Sequence, residues 1–148
     1  MRFLNVFKDP KILTFDFVET KKEELASLCQ KEDINLLYVY GSLAKNKMRK
    51  LSDVDIAVLK DKELSFDSYS KILGKLQEVF DREDIDLVDF TKIPPALKMR
   101  IIKSGQLVFC KDENMLKNLK YAITSLYLDT AYLRKSFSRY LRSAMGVA

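Results

Sequence analysis

The sequence predicts an α/β fold. Short apolar runs of strand length alternate with longer segments of helical periodicity, and the alternation extends over most of the chain. A length of 148 residues, 47% of them hydrophobic, is enough for one domain with a real core. Aromatic and aliphatic residues run from end to end, which excludes a disordered chain. A single domain over residues 1–148 is therefore expected, with its core at about 20–110 and a helical C-terminal segment at about 112–144.

Residues 1–18 alternate weakly and contain Pro10, so an irregular or edge element is expected there. Thr20 is placed to N-cap a helix over about 20–32. Glu23, three residues on, would complete a capping box, and Leu25, Leu28 and Cys29 supply the apolar face. Ile34 to Tyr40 is apolar, aromatic and branched, the composition of a buried strand, and Gly41-Ser42 ends it. The strongly basic stretch 43–50 has room for one or two helical turns. Val54 to Leu59 forms a second strand, followed by a polar break at Lys60–Glu63.

Tyr69, Ile72, Leu73, Leu76, Val79 and Phe80 keep the three-and-four spacing of an amphipathic helix. Asp84 to Phe90 gives a third strand. Pro94-Pro95 suits the first turn of another helix, Gly105 is expected to close it as a left-handed cap, and Gln106 to Cys110 is a fourth strand. Beyond it Leu116, Leu119, Ile123, Leu126, Thr130, Leu133, Phe137 and Tyr140 repeat at alternating intervals of three and four. This heptad-like stripe predicts one helix of about 30 residues, over 40 Å long at about 1.5 Å per residue. The stripe packs on the chain's own elements or, in part, on another protein. One small domain has little surface with which to cover all of it.

Composition removes several chemistries. The chain has no histidine, which excludes Ser-His or Cys-His relays, an imidazole base and histidine-ligated zinc. Cys29 and Cys110 are far apart in apolar surroundings and read as reduced core residues, which fits a cytoplasmic protein. The N-terminus lacks the apolar stretch of a signal peptide, and no run approaches the length of a membrane span. The net charge of +5 and pI near 9.1 suit a polyanionic ligand such as a nucleotide, without specifying one.

The chemistry concentrates in the fifteen residues from Gly41 to Asp55. Gly41 lets a phosphate approach the backbone, and Ser42 adds a hydroxyl and an N–H at a helix start. Lys45, Lys47, Arg49 and Lys50 bring positive charge. Asp53 and Asp55 fall on the same side of the second strand, with Val54 and Ile56 opposite. Two carboxylates so close repel unless a cation compensates them, and Mg2+ with substrate phosphates is the natural one. A third acid would complete a two-metal site and accept a proton. The third strand offers Asp84, Asp86 and Asp89. Asp84 is nearer the start of the strand and expected to be solvated. Asp86, between Ile85 and Leu87, is the choice. A turn residue at Ser52 and a solvated charged loop at 45–50 are the bland alternatives.

The pattern Tyr40-Gly-Ser, ten residues, Asp53-Val-Asp55-Ile resembles the signature of the nucleotidyltransferase superfamily that includes DNA polymerase beta. The fuller GSLAKNKMRKLSDVDIAV is similar to the minimal nucleotidyltransferase (MNT) group. Lys45 stands where Arg is common there, Arg49 at the second Arg, and Ser52-Asp53 keeps the Ser-Asp pair. Asn46 departs from a usual Gly, a small change because Asn tolerates left-handed backbone. IDLVDF matches the strand of the third acid. PPALKMRIIKSGQLVFCKDE resembles MNT antitoxins of the MntA type.

The resemblance covers roughly 35–140 and implies a small mixed β-sheet flanked by helices. It implies Gly41, Ser42, Lys45, Arg49 and Ser52 on the nucleotide. It also implies two Mg2+ ions on Asp53, Asp55 and Asp86. The expected function is transfer of AMP from ATP to a tyrosine of a HEPN-type RNase toxin, without direct nucleic-acid binding. A homo-oligomer stays open. Two alternatives stand beside it: a small-molecule adenylyltransferase of the aminoglycoside kind, and a non-catalytic antitoxin acting by binding alone.

Overall fold

The structure, a computed structural model, describes residues 11–146. The elements are α1 (Phe15–Thr20), α2 (Lys22–Lys31), β1 (Leu36–Tyr40), α3 (Gly41–Ala44), β2 (Val54–Leu59), α4 (Phe66–Phe80), β3 (Ile85–Asp89), α5 (Pro95–Ser104), β4 (Gln106–Cys110), α6 (Glu113–Asp129) and α7 (Ala131–Ala144). They form a four-stranded mixed sheet of order β3-β2-β1-β4. β1 runs antiparallel to β2 and β4, and β2 runs parallel to β3 across the α4 crossover.

Strand alternation divides the core between two faces of the sheet. Leu37 and Val39 of β1, Val54, Ile56 and Val58 of β2, and Ile85 and Leu87 of β3 point to one face. There Leu25, Leu28 and Cys29 of α2 and Ile72, Leu76 and Phe80 of α4 cover them. Leu36, Tyr38, Ala57 and Phe90 meet Ile101 of α5 and Leu116 and Ile123 of α6 on the other. Each fully buried aliphatic or Phe side chain contributes about 2 kcal/mol. The second face also carries Tyr40, Asp55 and Asp86, the next residues of the same alternation.

The helix periodicity of α4 and the four strands lie where the sequence places them. Four expectations change. Residues 1–10 lie outside the described residues, but 15–18 belong to α1 rather than to an irregular or edge element. Asn46 explains part of this, because its Oδ1 accepts the Phe15 N–H at 2.8 Å. Thr20 caps nothing. It is the last residue of α1, its hydroxyl donates to the Phe17 carbonyl, and α2 starts from Lys21 with no side-chain cap. Gly105 does close α5, but with φ −77° and ψ 168° it is extended, not left-handed. Glycine is needed there for space, since a Cβ would collide with the Ile101 carbonyl and crowd that of Val39 at 3.2 Å.

The predicted single C-terminal helix is two. At Thr130, φ is −90° and ψ is 0°. Its hydroxyl donates to the Leu126 carbonyl at 2.9 Å. Arg134 Nη2 takes the Tyr127 carbonyl at 2.8 Å, and the guanidinium lies 3.7 Å from the Tyr127 ring centroid. The Leu126 carbonyl accepts the Thr130 N–H as well as the hydroxyl, and the Tyr127 carbonyl accepts from Arg134, the added side-chain bonds that accompany bends in helices. Thr130 sits on the stripe, so the periodicity runs through the break without revealing it. The stripe itself divides here: Leu116 and Ile123 are buried, whereas Leu133, Phe137 and Tyr140 are 65%, 61% and 67% exposed.

Candidate active site

β1 ends beside Asp55 and Asp86, where the second face of the sheet carries half-buried and exposed residues rather than core. Gly41 turns the chain with φ +71°, a conformation that favours glycine. Space demands glycine as well, because a Cβ at Gly41 would overlap the Asp55 carboxylate. Gly41 and Ser42 open the single turn α3, whose first N–H groups have no partner within the helix. The turn therefore presents backbone donors directly beside an acid.

Register brings the acids together. Tyr40 pairs with Asp55 across β1–β2, and Asp55 pairs with Asp86 across β2–β3. The Asp55 and Asp86 carboxyls lie within hydrogen-bonding reach of one another. Burial raises the Asp55 pKa to about 6, and the charges of Asp86 and Asp53 and the bond to Asp86 push the same way. Asp53 is exposed, just ahead of β2, and adds its charge from there.

No group of three or more Asp, Glu, Cys or His side chains is already set to hold a metal ion among the described residues. Mg2+ takes one or two carboxylates together with substrate phosphates rather than a complete protein cage. The donor set is all oxygen and negatively charged, and no cation lowers the Asp55 pKa, so it fits such an ion.

The two other acids of the third strand are occupied. Asp84 is not simply solvated, as its place at the start of the strand suggests. Arg82 Nε and Nη2 donate to it at 2.7 and 2.5 Å and hold its pKa below the usual carboxylate range. Asp89 is buried, which pushes its pKa up. The Leu64 and Thr91 N–H groups and the Thr91 hydroxyl donate to it and outweigh burial, so the net shift is downward. Asp86 is exposed rather than held in the buried part of the strand; what distinguishes it is its place beside Asp55.

The basic loop is tethered at both ends. Met48 is buried, Asn46 takes φ +53°, and the Ser52 hydroxyl accepts the Arg49 N–H at 2.9 Å. Ser52 thus closes the turn that delivers Asp53. Lys45 and Arg49 are exposed and make no ion pair among the described residues.

Three further residues shape the site without having been singled out in the sequence. The Tyr40 hydroxyl stands by the acids: burial, then Asp55 and Asp86, raise its pKa to about 12, while Arg100 of α5 opposes them. Strand alternation from Tyr38 would have placed Tyr40 on this face. Arg100 depends on how α5 crosses the sheet, which no local pattern encodes. Arg82 looked like one more charge in the polar run Asp81-Arg82-Glu83-Asp84.

Residues 23–114 match the family described as polymerase beta, nucleotidyltransferase. An inferred protein adenylyltransferase of Methanocaldococcus jannaschii is 33% identical over 93 residues, covering 63% of this chain and 69% of that one. Two solved structures share the fold. One is a toxin–antitoxin with AMP-PNP, with TM-score 0.70 and 21% identity over 81% of this chain and 97% of that one. The other is a tri-AMPylated Shewanella oneidensis HEPN toxin in complex with MNT antitoxin, with TM-score 0.67 and 20% identity over 83% and 97%. Among the described residues no helix is long and apolar enough to cross a membrane.

Proposed function

The chain belongs to the polymerase beta nucleotidyltransferase family, and on that premise we propose that it is a protein adenylyltransferase, transferring AMP from ATP to a tyrosine of a HEPN-type toxin partner. The observation that carries this is the Asp55–Asp86 pair, neighbours in the β2–β3 register with the Asp55 pKa raised by burial and by the adjoining acids, set against the Gly41-Ser42 turn. The names of the relatives supply the adenylyl group, and the AMPylated toxin supplies the acceptor.

Each residue then has a task. The N–H groups of the α3 turn and the Ser42 hydroxyl bind the β- and γ-phosphates of ATP. Lys45 and Arg49, exposed and unpaired, draw in the triphosphate. Asp53, Asp55 and Asp86 would hold Mg2+, which when bound supplies charge neutralisation on the phosphates and acidifies the acceptor hydroxyl. Asp86 is exposed and takes the tyrosine proton. The tyrosine oxygen forms a bond to the α-phosphorus as the bond to the bridging oxygen of pyrophosphate breaks. Alignment and fixed charge supply most of the acceleration.

The partner needs a surface, and α7 provides one. Leu133, Phe137 and Tyr140 are exposed on one side. Arg134, Lys135, Arg139 and Arg142 give the helix positive charge with no acidic residue to offset it. A second copy would bring like charge, so we assign this face to an acidic, apolar surface of the toxin. That face also keeps a second reading in play, neutralisation by occlusion without chemistry.

The two readings separate cleanly. Incubation of toxin with this protein and Mg-ATP should raise the toxin's intact mass by one or more AMP units. An Asp53→Ala/Asp55→Ala protein should add none. Unchanged neutralisation by that double variant, with no mass gained from wild type, would leave occlusion alone.

A further inference from the structure

Among the described residues Arg82 is the one buried cation, with 5% of its surface exposed. Its backbone is fixed first. Asp81 ends α4 in the left-handed conformation, and the Arg82 N–H donates to the Gln77 carbonyl at 3.2 Å. Its guanidinium then bonds in three directions. Nε and Nη2 grip both oxygens of Asp84. Nη2 also donates to the Ser52 carbonyl at 2.8 Å, and Nη1 donates to the Lys11 carbonyl at 2.5 Å. The Met48 sulfur lies 3.9 Å from Nη1.

The Ser52 carbonyl immediately precedes Asp53. On its other side, the Val54 N–H donates to the Asp84 carbonyl at 3.0 Å. Both peptide neighbours of Asp53 are therefore fastened to one unit, the Arg82–Asp84 pair. Asp53 itself is exposed, with no hydrogen bond or ion pair of its own among the described residues. The Arg49–Ser52 turn delivers the chain to this point, and the clamp fixes the two peptides that flank Asp53.

The geometry points to Arg82 as a positioning residue: the Arg82–Asp84 clamp holds the peptide on either side of Asp53 and so sets that carboxylate against Asp55 and Asp86 for divalent-cation binding. This rests on the assignment of the three acids to a metal. A buried fork of five donors is suited to the task, since it satisfies two carboxylate oxygens and two carbonyls in one plane. Lysine has the charge without the fork.

Mn2+ binding, followed by loss of the free-ion EPR signal well below each protein's melting temperature, reads the effect directly. Arg82→Lys should weaken Mn2+ affinity about tenfold, the loss typical of groups that orient a ligand. Transfer should fall with it and recover at raised Mg2+. Leu76→Ala, a cavity under α4 away from the acids, should lower the melting temperature and leave Mn2+ affinity unchanged. Should Arg82→Lys not fold, Asp84→Asn keeps the guanidinium and half its anchor, and should weaken Mn2+ binding several-fold. Wild-type affinity in a folded Arg82→Lys or Asp84→Asn protein, or an equal loss in Leu76→Ala, would overturn the proposal. A wild-type protein that binds no Mn2+ would overturn the metal assignment itself.

Discussion

Asp84 and Asp89, at the two ends of β3, are each met by donors from the chain. Asp86, between them, and Asp55, beside it on β2, accept no hydrogen bond from an N–H or hydroxyl group among the described residues. On the proposed function, the difference separates acids that build the fold from acids that bind the ligand. Asp84 and Asp89 have lowered pKa values because the chain supplies guanidinium, N–H and hydroxyl groups. Asp55 has a raised one because burial and two neighbouring acids act without a compensating cation. Local sequence around the four is similar; their partners are what differ.

The largest expected effect is on transfer. Asp55→Ala or Asp86→Asn should reduce AMP transfer by roughly a thousandfold, as for loss of a metal-holding or charge-stabilising group. Asp89→Asn should leave transfer by the folded protein within a few-fold of wild type. If Asp89→Asn cost as much as Asp86→Asn, the division between the two kinds of acid would collapse.

Next in size is stability. Arg82→Ala strands the Asp84 carboxylate and two carbonyls, and should cost about 3 kcal/mol in urea denaturation. Gly41→Ala must push the Asp55 carboxylate aside at positive φ, and should cost about 2 kcal/mol together with most of the transfer.

A smaller effect has the opposite sign. Asp55→Asn should stabilise the metal-free protein at pH 7.5 by about 1 kcal/mol, after allowing for partial exposure, while removing activity. The folded pKa of Asp55 is raised, so its contribution is full below the ordinary carboxylate range and is lost as pH rises through about 6. The advantage of Asn should therefore open between about pH 4 and pH 6. Asp84, with its lowered pKa, contributes stability above the ordinary range and loses it as acid is added. Thermal melts across pH distinguish the two signs.

The smallest effect on the isolated protein belongs to α7. Phe137→Ser should move the melting temperature by less than about 1 °C, because the side chain touches no core. Capture of the toxin should weaken at least tenfold in a pull-down or calorimetric titration.

Much of this was legible before any coordinates. Period-two and period-3.6 patterns placed β1 to β4 and α4, because those segments obey their local rules. The Gly-Ser turn and Asp-x-Asp pair were visible because a site of this kind is nearly contiguous in sequence. What stayed hidden depended on contacts over distance. The α6–α7 break lies where Thr130 and Arg134 add side-chain bonds to the Leu126 and Tyr127 carbonyls within an unbroken heptad pattern. Gly105 looked like a left-handed cap because its true constraint, the Ile101 and Val39 carbonyls, involves another strand. Arg82 reads as surface charge until Lys11 and Ser52 are brought against it. In sequence, burial argues for Asp86 over Asp84, whereas in the fold Arg82 is what takes Asp84 out of contention.

The central claim is that Asp86 and its neighbours move the α-phosphoryl group of ATP to a partner tyrosine. ATP radiolabelled at either the α- or the γ-phosphorus, incubated with toxin and protein, tests it most directly. Label should reach the toxin from the α-position only, and not at all with Asp86→Asn. Transfer from the γ-position, or undiminished α-transfer by Asp86→Asn, would contradict it.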